Sequence, residues 1–296
     1  MDNDNSYLKF IDSALELAKD IPKYFSRFSN KLFSNQQKIV LLVLKQKLKA
    51  TYRSLVEWLK IAKDVRLMLG LTRIPHHTTL VKFAKKIKAD FISLLLPYRQ
   101  AEKVAIDYSG FELEAKSFYY RKTCFIRRKT KRFMRLAIAA DVDKQLIMKH
   151  IVNKKCGNDN TEFINLLKEL KVSYVLADKG YDARSNRKFV FMKLNAIPQI
   201  PFRKISGKDG IINGTANYLF DDKIYHQRSK VETIFSVIKR KYGSVVKARS
   251  LSAQKAELIC KLIAYNIDRL ITLYNLLIIG FQQSPILDCG SVAQVG

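Results

Sequence analysis

At residue 102 the hydrophobic pattern of this chain changes period, and that change limits its fold more than any other feature. Before it, apolar residues recur at helical intervals: Lys38–Lys49 is an apolar run with basic ends, and Arg53–Leu69 carries Leu55, Val56, Leu59 and Ile61. A third helix is expected from a Thr79 cap to Leu96, bracketed by Pro75 and Pro97. After the change, Lys103–Ser109, Phe133–Val142 and Leu146–Asn153 are short runs rich in Val, Ile and aromatic residues, the composition of consecutive strands. Helix and strand then alternate through Thr161–Leu170, Ser173–Ala177, Arg184–Leu194 and Ala196–Phe202. Two long helices, Tyr225–Tyr242 and Ser252–Ile279, close the pattern. Strands followed by alternating helix and strand predict a mixed α/β domain. The expected divisions are an all-α region over 1–100, the α/β domain with its long C-terminal helices over 101–281, and a tail over 282–296.

Charge narrows the partners. Lys and Arg number 54 against 26 Asp and Glu, a net charge of +28. Such a surface attracts polyanions, nucleic acid first and an anionic membrane second. The two most apolar stretches argue against the membrane: Gln37–Leu48 is short, and Leu258–Gly280 carries Lys261, Asp268 and Arg269 inside its span. The acidic start Met1-Asp2-Asn3-Asp4-Asn5 has no signal-peptide pattern, so a cytoplasmic, nucleoid-associated chain is expected. Cys124, Cys156, Cys260 and Cys289 lie too far apart for a zinc finger or a disulfide framework. The third N-terminal helix carries Lys82, Lys85, Lys86 and Lys88, and the helical region is expected to bind DNA. Lys116–Arg135 holds nine Lys or Arg and no acid, interleaved with Phe118, Tyr119, Tyr120, Phe125 and Phe133. Within it, Arg127, Arg128, Lys129 and Arg132 are expected to touch phosphates.

Acids are scarce, so their positions carry weight. Asp107 is expected to end the strand Val104-Ala105-Ile106, and Asp178 to end Tyr174-Val175-Leu176-Ala177. A carboxylate at the carboxyl end of a strand faces the crevice where ligands bind, although such an Asp also serves to begin a turn. Glu232 is the sole acid between Lys223 and Arg249, a stretch with eight Lys or Arg. It could simply pair with Arg228 four residues earlier. Three carboxylates converging from two strands and a helix would instead form the oxygen-rich site that Mg²⁺ prefers. Asp141, Asp143 and Asp182 are expected at turns or in support, and His76, His77, His150 and His226 show no metal spacing.

The residues Tyr225, Arg228, Glu232 and Lys239 spell Tyr-x2-Arg-x3-Glu-x6-Lys. On one helix, steps of three, four and seven residues would put all four on one face. The motif resembles the signature of insertion-sequence transposases of families four and five, in the DDE group. Ala177-Asp178-Lys179-Gly180-Tyr181 and Ile106-Asp107-Tyr108-Ser109 are similar to the two aspartate motifs of those enzymes. Thr51-Tyr52-Arg53-Ser54-Leu55-Val56 and Ile74-Pro75-His76-His77-Thr78-Thr79-Leu80 are similar to family-five N-terminal regions. The spacing of 54 residues from Asp178 to Glu232 leaves no room for the large β-rich insertion of some family-four members, so the compact family-five form is the better match.

The resemblance implies a ribonuclease H-like mixed-sheet core with Asp107, Asp178 and Glu232 as catalytic, metal-binding carboxylates. Tyr225, Arg228 and Lys239 become DNA contacts beside them. It implies a Mg²⁺-dependent nuclease and strand transferase, with Mn²⁺ as substitute, acting on terminal inverted repeats and target DNA as a homodimer in the synaptic complex. A ribonuclease H-like endonuclease or resolvase that cuts without joining is one alternative. A non-catalytic DNA-binding protein derived from a transposase is the other.

Overall fold

Local capping sets the N-terminal helices. In the structure, a computed structural model that describes residues 6–88, 92–93, 95–96, 99–114, 133–154, 159–202 and 211–282, these are α1 (Ser6–Leu17), α2 (Asn35–Lys47), α3 (Tyr52–Ile61), α4 (Lys63–Met68) and α5 (His77–Lys86). Ser34 and Gln37 form a reciprocal capping box at the start of α2, and Thr51 accepts from the Ser54 N–H at the start of α3. The third expected helix is displaced. It starts at His77, with Thr79 inside its first turn, and ends where Ile87 turns extended to bury its side chain. Lys82, Lys85, Lys86 and Lys88 are exposed, as expected of a basic face.

The sheet contains β1 (Lys103–Leu113), β2 (Phe133–Asp141), β3 (Ile147–Asn153), β4 (Tyr174–Ala177), β5 (Ile197–Gln199) and β6 (Val245–Val246). Its order is β3-β2-β1-β4-β5, with β6 also paired to β1. The first three strands are antiparallel, whereas β4 and β6 run parallel to β1 and β5 runs parallel to β4. Helices α6 (Asp159–Leu167) and α7 (Arg184–Leu194) alternate with the later strands; α8 (Ile211–Tyr218), α9 (Asp222–His226), α10 (Ser229–Tyr242) and α11 (Leu251–Gln282) complete the described chain. The result is a mixed sheet with helices on both faces, consistent with the ribonuclease H-like core that the sequence resemblance implies.

Strand alternation divides the apolar side chains between those faces. Val104 and Ile106 of β1 join Phe163, Leu166 and Leu167 of α6 and Val190 of α7. Ala105 and Phe111 join Val231, Ile234 and Ile238 of α10, and this second cluster continues through α11 to Phe10 of α1 and Ile39 of α2. One apolar cluster therefore serves both the N-terminal helices and the α10 face of the sheet. Polar ties reinforce it: Lys47 Nζ donates to the Asp268 carboxylate at 2.6 and 2.8 Å, and the Tyr242 hydroxyl donates to the same group at 2.6 Å.

Lys261 anchors β6. Its ammonium donates to the Gly243 and Val245 carbonyls at 2.7 and 2.9 Å, and burial pushes its pKa from 10.5 down to about 8. Between those values the unfolded chain holds a proton that the folded one releases, so this group's contribution to stability rises with pH. Denaturant unfolding should therefore show wild type gaining more stability than Lys261→Met between about pH 8 and about pH 10. Parallel responses of the two proteins would refute the shift.

Candidate active site

Asp107 lies inside β1 and does not end it. The strand continues because β2 pairs with it as far as Glu112 opposite Phe133, while its other edge changes parallel partner: β4 pairs as far as Ile106 opposite Ala177, and β6 takes over at Glu112 opposite Val245. Among the described residues no strand pairs with β1 on that side between these points. Asp107 is the first residue past the last β4 pair, and Asp178 is its counterpart past the end of β4. Adjacent strands lie roughly 4.8 Å apart, so the two aspartates are neighbours at a gap in the sheet edge. By alternation Asp107 shares the face of Ala105 and Phe111, the face covered by α10.

Each aspartate is fixed by its own turn. The Tyr108 N–H donates to Asp107 Oδ1 at 2.8 Å, and the Lys179 N–H donates to Asp178 Oδ1 at 2.7 Å. Asp178 thereby caps a 3₁₀ turn over Lys179–Tyr181. Behind it, Tyr181 is buried against Phe163, and Asp182 pairs with Arg187 of α7. Asp182 is therefore a structural ion-pair partner. Asp141 accepts from the Asp143 and Lys144 N–H groups in the β2–β3 turn, as its sequence position suggested.

The third acid comes from α10. Glu232 lies in its first turn, and Arg228 occupies the position before the helix. The Arg228 guanidinium donates to Glu232 Oε1 at 2.7 Å and faces Asp107 Oδ2 at 3.7 Å. Side-chain exposure is 18% for Arg228 and 19% for Asp107 but 55% for Glu232, so water screens the Glu232 contact more. Burial pushes the Asp107 pKa up; the Tyr108 N–H and Arg228 pull against it, while Glu232 and Asp178 reinforce it. For Arg228, burial opposes the charge, but Asp107, Glu232, Tyr225 and Asp178 outweigh it and raise the pKa. All three acids thus act on one guanidinium. Among the described residues, no three His, Cys, Asp or Glu side chains close to metal-holding distance.

The Tyr-x2-Arg-x3-Glu-x6-Lys motif does not lie on one continuous α-helix. Tyr225 belongs to α9, which ends at His226; the helix expected from Tyr225 is interrupted at Gln227 and Arg228. There the N–H groups of Gln227, Arg228, Lys230 and Val231 bond three residues back, making a tightened turn. In such a turn residues three apart eclipse, so Tyr225 stays beside Arg228 despite the break. The Tyr225 ring packs on Phe220 with centroids 5.6 Å apart. Further along, Lys239 Nζ lies 5.3 Å from the centre of the buried Phe111 ring, so the motif face runs along β1 from Asp107 to Phe111.

Two positioning residues escaped sequence reasoning. Gln199, buried at the end of β5, donates to the Leu219 carbonyl at 2.9 Å and accepts from the Asp221 N–H at 2.8 Å, fixing the entry to α9. Arg187 is the other, and its only sequence signal was a charge within an amphipathic helix. Arg127, Arg128, Lys129 and Arg132 lie outside the described residues. So does the expected tail beyond Gln282. Cys260 is buried and its thiol is pushed up to about 12 by burial, which fits an inert core position. No helix among the described residues is long and apolar enough to cross a membrane.

No curated protein matches the chain. Among solved structures, a cryo-EM structure of a piggyBac transposase synaptic complex with hairpin DNA aligns at 10% identity over 97% of this chain and 81% of that chain, with a TM-score of 0.43. The family profile described as "Transposase DDE domain" matches residues 99–267, which include β1 to β6, Asp107, Asp178 and the whole Tyr225–Lys239 motif. That match spans more than half of the sequence, and the chain belongs to the DDE transposase domain family.

Proposed function

We propose that this chain is a family-five-like insertion-sequence transposase that cleaves element ends and joins the freed 3′-hydroxyl to target DNA, with Asp107, Asp178 and Glu232 as its catalytic carboxylates. One observation carries the reading: two aspartates stand side by side where β1 changes partner, and α10 brings Glu232 and Arg228 to that same gap. The donor set fits Mg²⁺, with Mn²⁺ as substitute. It is made of hard carboxylate oxygens, and the place already accommodates a full positive charge on Arg228. When bound there by Asp107, Asp178 and Glu232, such cations supply charge stabilisation to the attacking and leaving oxygens.

The chain's own groups do the rest. Backbone N–H groups hold Oδ1 of each aspartate, and Asp107 Oδ2 faces Arg228 at 3.7 Å. Arg228 forks onto a phosphate, Lys239 adds a point charge along the same face, and Tyr225 donates its hydroxyl or stacks on an exposed base. No covalent protein intermediate is needed. The partners are double-stranded DNA, as terminal inverted repeats and target, and a second copy of the chain in the synaptic complex.

Purified protein incubated with Mg²⁺, end-bearing duplex and a target plasmid should yield joined products. Nicking without joining would favour an endonuclease, and binding without nicking a non-catalytic derivative. The basic run makes a separate prediction. Log affinity for duplex DNA should fall steeply with log salt, at about 0.9 per phosphate neutralised, and replacing Arg127, Arg128, Lys129 and Arg132 together by Ala should flatten the slope. An unchanged slope would leave this run as a solvated face.

A further inference from the structure

A cation already sits among these carboxylates. Asp107 spends Oδ1 on the Tyr108 N–H, so its oxygen toward the gap is Oδ2, and that is the oxygen Arg228 faces at 3.7 Å. The other terminal nitrogen of the same guanidinium holds Glu232 Oε1 at 2.7 Å. Had only Glu232 been involved, this would be an ordinary pair four residues apart on a helix surface. Asp107 changes its meaning, because it belongs to a different element, is largely covered, and meets the guanidinium only through the fold. Arg keeps its charge at every pH the protein meets and has no acceptor, and the two terminal nitrogens that face the carboxylates are the pair with which its fork would grip a phosphate.

We propose that Arg228 is the resident counter-ion of the metal-free site: it neutralises Asp107 and Glu232 until divalent cations claim the same oxygens, and is then released to grip a phosphate. This rests on the reading of those carboxylates as the cation site. Without any cation, neighbouring carboxylates repel one another; Arg228 relieves that repulsion and so competes with metal. A duplex offers Arg228 a replacement partner in its phosphate. Metal and DNA should then bind with reciprocal coupling, and loading of the site without substrate is held back.

Titration calorimetry with Mn²⁺ on the full chain tests this without any turnover. Arg228→Gln should bind Mn²⁺ roughly tenfold more tightly than wild type in the absence of DNA, because a competing unit charge has gone. It should melt at a lower temperature without metal and be raised further by Mn²⁺ than wild type is. Addition of a short duplex should tighten Mn²⁺ binding in wild type but not in Arg228→Gln. Arg228→Lys, which keeps a charge but lacks the planar two-pronged fork, should bind Mn²⁺ more tightly than wild type by a smaller factor, and it decides the matter if Arg228→Gln does not fold. Mn²⁺ binding that is equal or weaker in the folded variants would overturn the counter-ion role while leaving the cation site standing. No saturable Mn²⁺ binding in wild type or in either variant would overturn both.

Discussion

Glu232→Gln is expected to lower both cleavage and joining by roughly 10³-fold or more, about 4 kcal/mol on the barrier. The substitution keeps the side chain's length and one carbonyl acceptor for Arg228 but removes the negative charge. Glu232 is 55% exposed and no hydrophobic packing depends on it, so the fold should be retained. Duplex binding should persist or strengthen, since one carboxylate facing the phosphates has been neutralised and Arg228 loses the charge of its closer partner. That combination separates a cation ligand from a residue that merely balances charge on a basic helix. Gel-shift and strand-transfer assays on the same preparation read both halves. Wild-type nicking by Glu232→Gln would reduce Glu232 to the ordinary partner of Arg228, and the proposed roles of Asp107 and Asp178 would lose their third member.

The site was legible in the sequence to the extent that its residues obey local rules. Asp107 and Asp178 each follow an apolar run, and Glu232 stands alone in a basic stretch; composition and spacing singled them out. Their neighbourhood follows from parallel pairing of Ile106 with Ala177, which the alternation of helix and strand predicts in kind. Other features depend on contacts that no local pattern encodes. β6 is two residues long, so Val245 and Val246 gave no strand signal, yet they pair with β1 beyond Asp107 and so bound the far side of the gap. The interruption at Gln227 and Arg228 is a shift from four-residue to three-residue hydrogen bonds, invisible to side-chain periodicity. The same is true of α5: Ile87 ends it by turning into the core, where an apolar residue had looked like continuation.

Arg187 shows how a residue of a type usually found at the surface can hold a site in place, and its removal should be the most destabilising single change near Asp178. Composition alone places arginine outside. Here the Arg187 and Asp182 side chains are both 1% exposed and paired, a second nitrogen of Arg187 donates to the Ile200 carbonyl at 3.2 Å, and the guanidinium lies 3.8 Å from the centre of the Phe202 ring. The pair thus clamps the turn after Asp178 to α7 and to the segment following β5. Arg187→Ala would take the Arg187 charge away from the buried Asp182 carboxylate, which costs about 3–5 kcal/mol, whereas removing both charges together costs far less than the sum. Thermal or denaturant unfolding of Arg187→Ala, Asp182→Ala and the double variant should accordingly show two large single losses and strong coupling between them. The placement of Asp178 makes a further distinction: the double variant, although closer to wild type in stability, should still lose strand-transfer rate, because the turn that holds the Asp178 carboxylate is no longer clamped. Additive stability losses would mean that water or another cation already compensates Asp182. A double variant with full activity would show that Tyr181, packed on Phe163 at a centroid distance of 5.5 Å, fixes the turn by itself.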